Sequence, residues 1–234
     1  MTEAEWLACA DPQKMLEFLR SRASDRKLRL FSAACCRRVW HLLVHDWSRD
    51  AVKVVERYAD GAATFQELED AKSNAWEFSD HIIHSDEHFY DLDANAQNAA
   101  DAPAWAAERS EDYGSEVDGG CPHRVVTATQ RALGAAEGNA QADLVRCIFA
   151  NPLRPLTISP DILSWNDGVV VRLAQTAYDD RHMPAGILDN TRLLILADAL
   201  EEAGCTDSDT LGHLRRPGPH VRGCWPVDLC LGKS

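Results

Sequence analysis

Residues 24–43 read SDRKLRLFSAACCRRVWHLL. Ser24 or Asp25 offers a side-chain oxygen to the backbone N–H groups that a first helical turn leaves without partners. Leu28, Phe31, Cys35, Val39 and Leu42 follow at steps of three and four, the stripe of a helix packed along one face. The spacing predicts a helix running to about residue 45. The same grammar recurs outward along the chain. Thr2 with Glu5, and Thr64 with Glu67, are capping boxes, in which a threonine and a glutamate three residues on each bond the other's backbone. Asp11-Pro12 is a cap followed by proline at the first helical position. A helix from Ser48 closes at Gly61, and the one after Thr64 extends to about residue 90. Residues 94–109 are alanine-rich, with a break or restart at Pro103.

Residues 110–121 hold three glycines, many acids and almost no apolar content, the composition of a loop. Residues 122–150 show one helical pattern, weakened at Gly134 and Gly138 by about 1 kcal/mol each relative to alanine. Pro152, Pro155 and Pro160 mark an extended link. Asn166-Asp167-Gly168 caps a further helix, residues 189–203 form another closed by Gly204, and a short one surrounds residues 208–214. The tail 220–231 carries Cys224, Trp225, Val227, Leu229 and Cys230, too apolar to hang free. Sustained period-two alternation is absent. The expected fold is all-α, an irregular array of around nine helices, arranged as two helical subdomains sharing a core. Their spans are 1–109 and 122–234, joined by the acidic, Gly-rich loop 110–121.

Charge is segregated. Residues 66–118 hold fifteen acidic residues against Lys72 and Arg109, and so carry the whole net charge of −13. The remaining residues balance, with Arg26, Lys27, Arg29, Arg37 and Arg38 concentrated on the third helix and the acidic middle as their obvious partner. A net negative chain repels a phosphate backbone, which argues against nucleic-acid binding. No apolar run reaches the roughly 18 residues that span a bilayer. The acidic opening MTEAE lacks the basic and apolar regions of a signal peptide, so a cytoplasmic protein is expected. Its eight cysteines contain no C-x-x-C pair, and they read as reduced, mostly buried thiols, Cys147 among them in an apolar helical run.

Three sets of side chains have the chemistry of metal ligands. His81, His84 and His88 share one helix face. They span about 10 Å, so one ion takes two of them plus a donor from another helix. His41 and His45 stand four apart, the spacing of paired ligands on one helix, but without the glutamate that a metalloprotease motif places between them. Cys205, His213, His220 and Cys224 follow at spacings of eight, seven and four, which match no standard zinc motif; the proline-rich turn between them is what would bring them together. Zinc suits such nitrogen and sulfur donors. Asp198, Glu201 and Glu202 read as the wet face of an amphipathic helix. Nucleophile elbow, P-loop and dinucleotide-binding glycine patterns are all missing, and Gly119-Gly120 is followed by Cys-Pro-His rather than Lys-Ser or Lys-Thr.

Three segments taken together resemble a paralogous protein group of large-genome planctomycete bacteria. They are residues 1–19 (MTEAEWLACADPQKMLEFL), residues 24–43, and the tail from Leu194 (LILADALEEAGCTDSDTLGHLRRPGPHVRGCWPVDLCLGK). Residues 192–204 are also similar to the L-x-Y-A-D-W-L-E-E-x-G core of the planctomycete repeat-companion domain, with Leu196 in place of its Tyr and Ala199 in place of its Trp. The resemblance implies a lineage and a mostly helical scaffold, not a reaction. In that group a cysteine often follows the histidine matching His213; here the position is Leu214. A four-donor site in this tail therefore needs a ligand from elsewhere, such as Cys205.

With no catalytic motif, the leading expectation is a non-enzymatic helical module that presents its acidic middle to a basic protein surface, without a catalytic residue or organic cofactor. The alternative is a metal-binding protein or metal-dependent hydrolase that draws histidines from neighbouring helices.

Overall fold

The computed structural model describes residues 1–84, 93–108 and 121–233, without the side chains of 81–84. The protein is all-α, with one hairpin of two-residue strands among the described residues. It forms two compact units, Met1–Val145 and Arg146–Ser234. The division falls inside a helix, whereas the loop expected at 110–121 lies outside the described residues except for Cys121.

In the first unit, α1 (Glu3–Ala8) starts on the Thr2–Glu5 capping box and α2 (Pro12–Leu19) on Asp11. Then α3 (Asp25–Arg38) starts on Ser24. It is followed by α4 (Asp46–Ala59), α5 (Phe65–His84), α6 (Ala94–Ala99), α7 (Ala102–Ala107), α8 (Cys121–Leu133) and α9 (Glu137–Phe149). The expected Ala-rich helix restarts at Pro103, which lies in the first turn of α7. The single pattern expected over 122–150 is two helices. Gly134, at φ +87°, takes the left-handed position that ends α8, and α9 begins three residues later.

The centre of this unit is α3, which packs against α4, α7 and α8. Because it is enclosed on several sides, burial extends beyond the predicted stripe to Leu30, Ala33, Ala34 and Cys36. Burial pushes the Cys36 thiol far above its ordinary range, so it is an inert core residue. The helix stops at Arg38 rather than near residue 45. Val39 leaves helical geometry and a 3-10 turn follows at Trp40–Leu42.

Burying α3 also buries its arginines. Arg37 donates through Nε and Nη2 to the two carboxylate oxygens of Glu56 on α4, at 2.6 and 2.7 Å. The two side chains are only 2% and 5% exposed. Arg38 makes the same two-pronged contact to Glu137, and Arg26 pairs with Asp60. Arg29 bonds Asp25 and the carbonyl of Glu108. Thus Asp25, Glu56, Asp60 and Glu137 are among the carboxylates that meet the basic residues of α3.

In the second unit, the link 150–159 leads to α10 (Pro160–Asp179). That helix is interrupted at Asn166, Asp167 and Gly168, which take φ of +48°, +54° and +75° before the helix resumes. A hairpin follows, β1 (Arg181–His182) pairing antiparallel with β2 (Ile187–Leu188). Next come α11 (Asn190–Glu202), α12 (Ser208–Arg215) and α13 (Trp225–Leu231). Asp189 and Asp207 cap α11 and α12. The apolar tail docks as expected. In it α13 packs on α10 and α12, with Trp225, Val227 and Cys230 buried. No helix among the described residues is long and apolar enough to cross a membrane.

Replacing one partner of a buried, two-pronged ion pair strands the other, which costs about 3–5 kcal/mol. Glu56→Ala is therefore expected to lower unfolding stability by that amount in chemical denaturation. The matched control is Asp50→Ala, which removes the exposed Lys53–Asp50 pair and is expected to cost less than about 1 kcal/mol.

Candidate metal centre

Four buried donor atoms converge in the second unit: Cys147 Sγ, His213 Nε2, His220 Nδ1 and Cys224 Sγ, all within 4.8 Å of one another. Each comes from a different local structure. Cys147 sits in the last turn of α9 and His213 in the last turn of α12. His220 lies on the connection between α12 and α13, and Cys224 is the cap residue of α13.

The connection is shaped by its sequence. Arg216 ends α12 in an extended conformation, and Pro217 cannot continue the helix. At Gly218 the chain doubles back so tightly that an added Cβ would lie 2.5 Å from the backbone nitrogen of His220. Only glycine fits there. The returning strand is pinned to the hairpin: the Leu188 N–H donates to the His220 carbonyl at 2.8 Å, and Val221 bridges Ile187. Gly223, at φ +88°, then turns the chain into α13, where the Cys224 carbonyl accepts the N–H of Asp228.

Three of the donor–donor edges lie close to those of a tetrahedral ion. With metal–sulfur bonds of about 2.3 Å and metal–nitrogen bonds of about 2.0–2.1 Å, sulfur–nitrogen edges come to roughly 3.6 Å. The observed edges are 3.3 Å for Cys224 with His213, 3.7 Å for Cys224 with His220 and 4.0 Å for Cys147 with His220. The electrostatics agree. Hydrogen bonding from Cys224, then from His213 and His220, holds the Cys147 thiol well below its ordinary range against the opposing effect of burial. Burial pushes His213 below the usual histidine value, toward the neutral form that ligates. Two sulfurs and two imidazoles are a donor set for zinc.

Of the sequence-predicted set, His213, His220 and Cys224 come together and Cys205 does not join them. Cys205 is buried beside Cys230, whose thiol is pushed up to about 12 by burial and by that neighbour. The fourth donor atom of the cluster is the sulfur of Cys147, which the sequence marks only as a thiol in an apolar helical run. It stands far from the tail in sequence and has no local spacing to announce it. The one available signal was that three clustered donors leave a tetrahedral site one short.

His41 and His45 are not a helical pair, because α3 ends before both. His41 is exposed in the 3-10 turn. His45 caps α4, accepting the Trp47 N–H at Nδ1, and stacks on Phe78 with ring centroids 4.4 Å apart. His81 and His84 end α5, with side chains outside the described residues, and His88 lies outside them altogether. The acids of α11 have an ordinary explanation, since Asp198 and Glu201 both receive Arg215. No protein-family model, curated protein or solved structure matches the chain.

Two glycines of the α12 region are expected to respond oppositely to alanine. Gly218→Ala forces the turn before His220 to shift and is expected to destabilise by about 1–3 kcal/mol. Gly212→Ala meets open space inside α12 and is expected to stabilise by up to about 1 kcal/mol. Thermal unfolding of both variants checks the signs.

Proposed function

We propose that this chain is a non-enzymatic helical module whose second unit is held together by one structural zinc ion. Cys147, His213, His220 and Cys224 would hold the ion. The observation that carries the reading is the burial of four ligand-type atoms within 4.8 Å of one another, in a donor set of two sulfurs and two imidazoles. A bound ion would cross-link three chain segments, adding to the burial and hairpin contacts that already fasten the proline-interrupted tail. Four protein donors complete a tetrahedron and leave no position for a substrate or an activated water, which favours a structural over a hydrolytic role.

Around that scaffold, the acidic segment 66–118 is proposed as the surface offered to a basic protein partner, supported by its fifteen acids against two basic residues. A reducing cytoplasm suits the chain, since its eight cysteines carry no disulfide. The resemblance of its ends to the planctomycete paralogous group supports a place in that lineage.

Elemental mass spectrometry on untagged protein, purified without added metal or chelator, is expected to find about one zinc per chain. Cys147→Ser and His220→Ala are expected to lose it, while Cys205→Ser keeps it. Chelation is expected to lower the unfolding temperature of the native protein and to leave the metal-free variants unmoved. Absence of metal from the native chain sinks the reading. Partner capture by the acidic segment is expected to weaken steeply between low and physiological salt.

A further inference from the structure

The two imidazoles of the site are wired in opposite senses. His220 turns Nδ1 to the cluster, and its Nε2 lies 3.1 Å from the carbonyl of Arg216. A carbonyl only accepts, so the ring proton is on Nε2 and Nδ1 turns its lone pair to the two sulfurs. This is the arrangement that a ligating histidine normally has, its second nitrogen donating to a fixed acceptor.

His213 turns Nε2 to the cluster, and its Nδ1 receives the indole N–H of Trp225 at 3.2 Å. Indole nitrogen is a donor only. Nδ1 must therefore be the bare nitrogen, and the ring proton sits on Nε2, pointing at Cys224 Sγ 3.3 Å away. That proton occupies the lone-pair direction through which His213 would hold an ion.

We infer that Trp225 is a brake on metal binding, holding His213 in its non-ligating tautomer, so that the site binds its ion less tightly than the four donors alone would allow. The inference rests on the metal-binding reading above. On uptake of a divalent ion the two sulfurs would bind as thiolates, any proton still on Cys147 or Cys224 going to solvent, and His213 would stay neutral while its one proton passes from Nε2 to Nδ1. That proton then faces the Trp225 N–H, donor against donor, and the indole has to turn away. Trp225 is the first residue of α13 and is almost fully buried, so metal uptake is coupled to the packing of that helix. In the metal-free state the cluster satisfies itself through Trp225 to His213, His213 to Cys224 and His220 to Arg216. The second unit thus has a hydrogen-bonded form to return to.

The test is zinc affinity, measured by competition with a chromophoric chelator, on the full chain and on Trp225→Phe. The aromatic ring is kept and only the donor is lost. The variant is expected to bind zinc about ten- to a hundredfold more tightly, the worth of one buried N–H no longer forced to give up its partner. A second measurement needs no variant. In the native protein the Trp225 indole N–H resonance is expected to be protected from solvent exchange without metal, and to shift and lose protection when zinc is added. Equal or weaker zinc affinity in a folded Trp225→Phe protein overturns the brake and leaves the metal site standing. So does an indole N–H that stays protected in the zinc-loaded native chain. Failure of both proteins to bind zinc removes the metal reading and the brake with it.

Discussion

A helix enclosed on several sides that still carries arginines must meet its counter-charges inside the core, and this constraint organises the first unit. Arg37 of α3 is 2% exposed and is held at both ends of the Glu56 carboxylate. A buried charge of this kind is tolerated only when paired and hydrogen-bonded, so α4 has to lie where Glu56 can reach. Arg38 places the same demand on Glu137 at the start of α9. These pairs add direction to an otherwise apolar interface. Leucine and alanine would accept several rotations of α3 against its neighbours, whereas a two-pronged guanidinium–carboxylate contact accepts one.

Where α4, α5 and α7 meet, the residues are small. Ala51, Ala71, Ala75 and Ala104 form one buried cluster, which lets the helices approach closely. At its edge Trp76 packs edge-on against Trp105 and donates its indole N–H to Glu108. The second unit faces a different problem, since prolines interrupt its tail between α12 and α13. Its polar cluster lies at that interruption. Hairpin contacts at Leu188 and Ile187 hold the backbone of His220 and Val221, and the side chains of that same turn face inward as potential ligands.

Much of the helical layout could be read directly because its signals are local. Thr2, Asp11, Ser24 and Thr64 mark helix starts through bonds to backbone groups two or three residues away. Helix ends were less legible. The apolar stripe of α3 continues in sequence through Val39 and Leu42, yet the helix stops at Arg38. Periodicity reports which side chains are apolar, not where the backbone changes direction. Gly134 is visible in the sequence as a glycine, but a glycine alone does not say whether the helix is weakened or ended there; its φ of +87° shows that it ends α8.

What the sequence determined by itself is the all-α class, the helix starts, the charge segregation and three of the four clustered donors, which lie within a stretch of twelve residues. Only the tertiary structure decided that the fourth is Cys147 rather than Cys205, and that His41 and His45 part company. Caps and stripes act over one or two turns of a single helix, so composition and spacing encode them. A four-donor cluster requires atoms from distant segments to converge, here to within 4.8 Å of one another, and no local pattern records that; the placement of Cys147, α12 and the turn at Gly218 brings it about.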